Sequence, residues 1–143
     1  MTGRDPIAWD ELERAALAAQ AQAHAPYSGY RVGAALSVPS GRIFAGCNVE
    51  NASYGLSLCA ERSAVASMVA GGERMPVAIV VVTPGQTPGT PCGMCRQTLA
   101  EFALDLPIRL LASDAPGVSR EVTLSALLPD AFRAEALGVV AGR

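Results

Sequence analysis

Two short stretches gather the residues able to do chemistry. Pro91-Cys92-Gly93-Met94-Cys95 stands where a helix is expected to begin. A Cys-x-x-Cys so placed aims two thiolates at one point while the helix dipole stabilises their charge. Alone, the pair serves metal binding, redox exchange or plain burial. A structural zinc knuckle needs a second such pair, and a thioredoxin-like motif must follow the first strand of its fold; neither is seen. Cys59-Ala60-Glu61, at another loop-to-helix junction, adds a third thiolate and a carboxylate. Three protein ligands leave the fourth tetrahedral position of a zinc ion for water, which distinguishes catalytic sites from closed structural ones. Residues two apart on a helix do not readily ligate one ion. Glu61 therefore reads as general acid and base acting on that water, not as a ligand.

These groups need elements to hold them. From Trp9, the apolar positions Leu12, Ala16, Ala19 and Ala23 recur at helical spacing, which predicts an amphipathic helix ending near Pro26, with Asp5-Pro6 as cap and first turn. Val32 to Val38 and Arg42 to Cys47, joined by Pro39-Ser40-Gly41, read as an antiparallel hairpin. Leu58 to Ala70 reads as a helix stopped at Gly71-Gly72, and Val77 to Thr83 as a central strand. Cys92 to Phe102 gives the next helix, Ile108 to Ala112 a fourth strand, Val118 to Thr123 a weaker fifth, and Leu124 to Phe132 a last short helix. Helices alternating with apolar strands imply an α/β fold, a three-layer α/β/α sandwich over a mixed five-stranded sheet.

The chain has 143 residues, half of them apolar, and a formal charge of −2. That length fits one domain spanning 1–143, with 132–143 as a C-terminal tail. The longest aliphatic run, Val77 to Val82, is far short of the roughly 20 residues of a membrane span. The first six residues carry no apolar signal region, so the cytoplasm is the expected compartment. All eleven cations are arginine, scattered without a basic patch, which disfavours a nucleic-acid partner. Cys47 reads as a small buried side chain and His24 as a helix-end residue. Arg62 and Arg96 would ordinarily be solvated helix charges; a site role is assigned to Arg62 and none to Arg96.

The order Cys-x-Glu followed by Pro-Cys-x-x-Cys resembles the signature of zinc deaminases. Tyr27-Ser28-Gly29-Tyr30-Arg31-Val32-Gly33-Ala34-Ala35-Leu36, Gly46-Cys47-Asn48-Val49-Glu50-Asn51-Ala52-Ser53-Tyr54, Cys59-Ala60-Glu61-Arg62, Pro91-Cys92-Gly93-Met94-Cys95-Arg96-Gln97 and Leu127-Leu128-Pro129-Asp130-Ala131-Phe132 are similar, in order and spacing, to blocks of the small homotetrameric cytidine deaminases. The resemblance runs from Trp9 to Phe132. It implies zinc on Cys59, Cys92 and Cys95, proton shuttling by Glu61, and hydrolysis of cytidine and 2′-deoxycytidine to the uridines and ammonia in pyrimidine salvage. It further implies that Asn48 and Glu50 bind the ribose hydroxyls and that Tyr30, at a usual phenylalanine position, packs on the pyrimidine. The backbone of Ala60 and of the Cys92 region would hold the base edge. Ala52, Tyr54 and Phe132 would complete the pocket across subunit boundaries of a homotetramer. Arg62 would compensate the net negative charge of a three-thiolate zinc site. Tyr30, Arg31, Ser63 and Met94 depart from the common pattern. Two rivals have discriminating features: a deaminase of another aminopyrimidine, of the blasticidin S type, against which the Asn48-Val49-Glu50-Asn51 block argues, and a non-catalytic zinc-stabilised module, against which Glu61 argues.

Overall fold

The apolar run Ala78–Thr83 is buried at every position, as a strand covered on both faces must be. In the computed structural model, which describes residues 6–139, it lies at the centre of a five-stranded sheet. The elements are α1 (Trp9–Ala21), β1 (Gly33–Ser37), β2 (Ile43–Cys47), α2 (Ala60–Ala70), β3 (Ala78–Thr83), α3 (Gly93–Ala100), β4 (Pro107–Ala112), β5 (Ser119–Thr123) and the single turn α4 (Leu124–Leu127). Two 3-10 turns, Tyr54–Leu56 and Ala134–Leu137, complete them. The strand order is β2-β1-β3-β4-β5. β1 pairs antiparallel with both β2 and β3, β3 is parallel to β4, and β5 closes the edge antiparallel to β4.

Because strand side chains alternate between faces, β3 feeds two cores. Ala78, Val80 and Val82 meet Leu12 and Ala16 of α1, while Ile79 and Val81 meet Ala64, Val65 and Met68 of α2 and Leu99 of α3. This is the expected three-layer sandwich. The two helical layers approach the sheet at glycines. A Cβ on Gly33 would stand 2.0 Å from the Ala16 carbonyl oxygen of α1, and one on Gly46 would stand 2.5 Å from the Ala64 amide nitrogen of α2. The absence of a side chain at each position is what seats the helix.

Several boundaries differ from the sequence expectation for identifiable reasons. The helix expected to reach Pro26 ends at Ala21, because His24 pairs with the segment after β2: its amide donates to the Asn48 carbonyl at 3.0 Å and its carbonyl accepts from Glu50 at 2.8 Å. Tertiary pairing overrides the helical propensity of the alanine-rich segment. The α1 N-cap is Ala8, without a side-chain cap, in place of the expected Asp5-Pro6 cap; Asp5 itself lies outside the described residues. The last helix stops at Leu127, not Phe132. Pro129 disfavours helical geometry at Leu128, which sits at φ −135° and ψ 72°. Part of the expected tail forms the 3-10 turn Ala134–Leu137; residues 140–143 lie outside the described residues.

Candidate metal centre and active site

β2 and β3 run in the same direction, and α2 and α3, which follow them, bring their N-termini together beyond the carboxyl ends of those strands. Cys59 is the N-cap of α2 and Cys92 the N-cap of α3, both in extended backbone geometry. Cys95 follows on the first turn of α3 and is fully buried. The Sγ atoms of Cys59 and Cys92 are 3.7 Å apart and those of Cys92 and Cys95 are 3.4 Å apart, all three sulfurs lying within 4.8 Å of one another. A tetrahedron with metal–sulfur distances of about 2.3 Å has an edge of about 3.8 Å, so the donor set fits one zinc ion. All three cysteines are free thiols, and no second cluster of this kind occurs among the described residues.

The electrostatics favour an anionic sulfur at Cys59. Cys59 is pulled down to about 5, chiefly by the hydrogen bond from Cys95, with Cys92 and Arg62 acting the same way against the cost of burial. Cys95 is pushed up, because Cys59 already holds the charge and because it is buried. Two helix N-termini converge on the same point and add their dipoles. Nη2 of Arg62 donates to the Ser57 carbonyl at 2.9 Å and lies 4.0 Å from the Cys59 sulfur, while its Nε is buried without a partner. The guanidinium is thus held beside the Cys59 sulfur.

Glu61 is only 5% exposed. Burial pushes its carboxyl above the ordinary range, and the Cys59 charge pushes the same way, partly opposed by hydrogen bonds and by Arg62. A carboxyl with a raised pKa holds a proton more readily than an ordinary carboxylate, as a group that accepts and returns one must. Ala60, wholly buried, opens α2 between the ligand and the acid, where amides have no partner inside the helix.

Asn48 and Glu50, expected to bind the sugar, have their polar groups already engaged within the chain. Asn48 Oδ1 accepts from the Val32 amide at 2.9 Å and its Nδ2 donates to the Tyr30 carbonyl at 2.7 Å. Glu50 Oε1 accepts from the amides of Tyr27 and Ser28 at 2.9 and 3.1 Å, and Oε2 accepts from the Ser28 hydroxyl. Both therefore shape the 27–32 loop, and Ser28 is a partner that no local pattern singles out. The Tyr30 ring is half exposed; its hydroxyl sits beside Gly89, where an added Cβ would stand 3.2 Å from it, against the loop leading to Cys92. Ala52 is exposed. Tyr54 and Phe132 are 74% and 60% exposed, with Tyr54 packed edge-on to Tyr27 at 5.8 Å. Alternation from Gly46 turns Cys47 toward the opposite face of the sheet, away from the sulfur cluster, and the His24 side chain is exposed.

Arg96 corrects the sequence reading. It is no solvated charge: Nε donates to the Pro91 carbonyl at 2.8 Å, Nη1 to the Leu127 carbonyl at 2.8 Å and Nη2 to the Thr90 hydroxyl at 3.2 Å.

Among the described residues no helix is long and apolar enough to cross a membrane. The model of the cytidine and deoxycytidylate deaminase zinc-binding region matches residues 8–107. A cytidine deaminase of Halalkalibacterium halodurans is 44% identical over 124 residues, 87% of this chain and 93% of that one. One from Mycobacterium tuberculosis is 40% identical over 131 residues, 88% of this chain and 90% of that one. The crystal structure of a cytidine deaminase from Burkholderia pseudomallei superposes with a TM-score of 0.83 at 46% identity, over 88% of this chain and all of that one. With its three sulfurs and buried acid at the shared helix edge, the chain belongs to the cytidine and deoxycytidylate deaminase family.

Proposed function

We propose that this chain is a single-domain zinc hydrolase that deaminates cytidine and 2′-deoxycytidine to uridine and 2′-deoxyuridine, releasing ammonia. The observation that carries it is Glu61, a buried carboxyl with a raised pKa directly behind a three-thiol cluster; a structural zinc site has no use for such an acid. Zinc on Cys59, Cys92 and Cys95 would supply Lewis acidity and hydroxide near neutral pH. Glu61 takes one proton from the water whose oxygen bonds to C4 and delivers it to N3 of the pyrimidine; it then carries the proton of the new C4 hydroxyl to the 4-amino group, so that the C4–N bond breaks, ammonia leaves and the C4 carbonyl remains. Arg62 offsets the excess negative charge of the sulfurs. The outer edges of Asn48 and Glu50 bind the ribose hydroxyls, the Tyr30 ring packs on the base, and backbone at Ala60 and Cys92 holds the base edge.

The exposure of the large apolar side chains Tyr27, Tyr54, Leu56 and Phe132 supports association into a homotetramer in which Ala52, Tyr54 and Phe132 complete a neighbour's pocket. A cytoplasmic role in pyrimidine salvage completes the reading.

Zinc content and steady-state turnover of cytidine and 2′-deoxycytidine, measured on one preparation, test it. Stoichiometric zinc is expected, with Glu61→Gln keeping the metal while kcat falls by about 10² to 10⁴. A Gln variant within about tenfold of wild type would transfer the proton work to another group.

A further inference from the structure

Two side chains outside the reaction scheme follow Cys95 directly on α3, and both reach away from the helix. Arg96 bonds on one side to the Pro91 carbonyl and the Thr90 hydroxyl, in the turn that delivers Cys92, and on the other to the Leu127 carbonyl at the end of α4. Gln97 Nε2 donates to the Phe132 carbonyl at 2.8 Å. The guanidinium is a planar fork of fixed donors, so engaging three partners at once sets their relative places. Lysine, a compact charge on a flexible stem, cannot reproduce that pattern. Cys92 sits at ψ 167° as N-cap, and the preceding peptide, which carries the Pro91 carbonyl, determines where its sulfur points. The Leu127 carbonyl is one of the last acceptors of a helical turn, which the turn itself leaves open, and here it takes a charge-assisted bond.

We propose that Arg96 and Gln97 are positioning residues that join the metal helix, the Thr90–Cys92 turn and the Leu127–Phe132 segment into one body, Arg96 setting the Cys92 sulfur and Gln97 setting the Phe132 ring. The inference rests on the reading of the cluster as a zinc site and of Phe132 as a pocket wall. Two adjacent residues then have separable effects. Arg96 governs how firmly metal is held, and Gln97 governs how well substrate is bound.

The test uses the zinc-loaded protein and follows zinc transfer to the chelator 4-(2-pyridylazo)resorcinol alongside cytidine kinetics. Arg96→Lys is expected to release zinc about tenfold faster or more. Thr90→Val, which removes one arm at an exposed position, accelerates release by a smaller factor and covers the case in which the lysine variant fails to fold. Gln97→Met keeps the bulk without the donor; it releases zinc at the wild-type rate and raises KM about fivefold, with kcat within about twofold. Wild-type zinc release in folded Arg96→Lys, or in Thr90→Val where the lysine variant does not fold, would overturn the inference, as would an unchanged KM in Gln97→Met. A wild-type protein that held no zinc or turned over no cytidine would instead remove the functional reading, and this inference with it, before any variant is compared.

Discussion

Replacing Gly46 by alanine adds one methyl group to β2, at a point that touches no reacting atom. The added Cβ would lie 2.5 Å from the Ala64 amide nitrogen, 2.7 Å from the Ser63 Cβ and 2.8 Å from the Ala60 carbonyl oxygen. The closest of these is about 0.9 Å short of the 3.4 Å at which ordinary contact begins, and two of the three are backbone atoms of α2. The helix must therefore move by nearly that amount, and its first turn carries Cys59, Glu61 and Arg62 while Cys92 and Cys95 stay on α3. A displacement of about 1 Å at reacting groups costs about 10²-fold in rate, and overpacking of this kind costs about 1–3 kcal/mol in stability. Gly46→Ala is expected to lose about two orders of magnitude in kcat for cytidine, to bind zinc less tightly and to melt earlier. Gly55→Ala, whose added Cβ meets nothing within 4 Å, is the control. A Gly46→Ala protein with wild-type kcat and Tm would show that α2 yields without cost, and would refute the argument that this close approach sets the site.

Arg62→Gln removes the cation beside the Cys59 sulfur; kcat at pH 7 should fall by roughly tenfold as the acidic limb of the rate profile moves up by about one pH unit, and an unmoved limb would mean the helix dipoles compensate alone. The Glu50 carboxyl is held below its usual 4.5, first by the Ser28 hydroxyl and then, against some desolvation, by the amides of Ser28 and Tyr27 and the charge of His24. A lowered folded value means that the anchor of the 27–28 turn is fully present above pH 4.5 and is lost only as pH falls through that lower value. The Tyr27 and Ser28 amide resonances should titrate there; a midpoint at or above 4.5 would contradict the hydrogen-bonded geometry.

The clustering of Cys59, Cys92 and Cys95 was legible because cysteine is rare and each of the three stands at a loop-to-helix junction that the local pattern marks. The strands were legible for a similar reason: Ala78–Thr83 has the unbroken apolar composition that burial on both faces demands. What the sequence hid depends on partners distant along the chain. Nothing in the alanine-rich segment after α1 announces that His24 will pair with Val49. Nothing beside Cys95 announces that Arg96 will find Leu127, 31 residues away. Arginine on a helix is ordinarily solvated, so only coordinates separate a fork that clamps three groups from one that clamps none. Asn48 and Glu50 stand between these cases. Resemblance assigns them to the sugar, whereas the structure reveals a second duty as the scaffold of the 27–32 loop.

The contact at Gly33 bears on how such a protein would look in a saturation mutagenesis selection. No substitution there leaves α1 where it is, since even a methyl group would sit 2.0 Å from the Ala16 carbonyl. In a growth-based screen this position should be as intolerant as Cys59, Cys92 and Cys95, although its contacts are with α1, on the sheet face opposite α2 and α3. Intolerance alone would rank it among the active-site residues. Only a second screen, for abundance instead of activity, would sort the two: Gly33 variants should vanish from the folded pool, while Glu61 variants should persist in it as inactive protein.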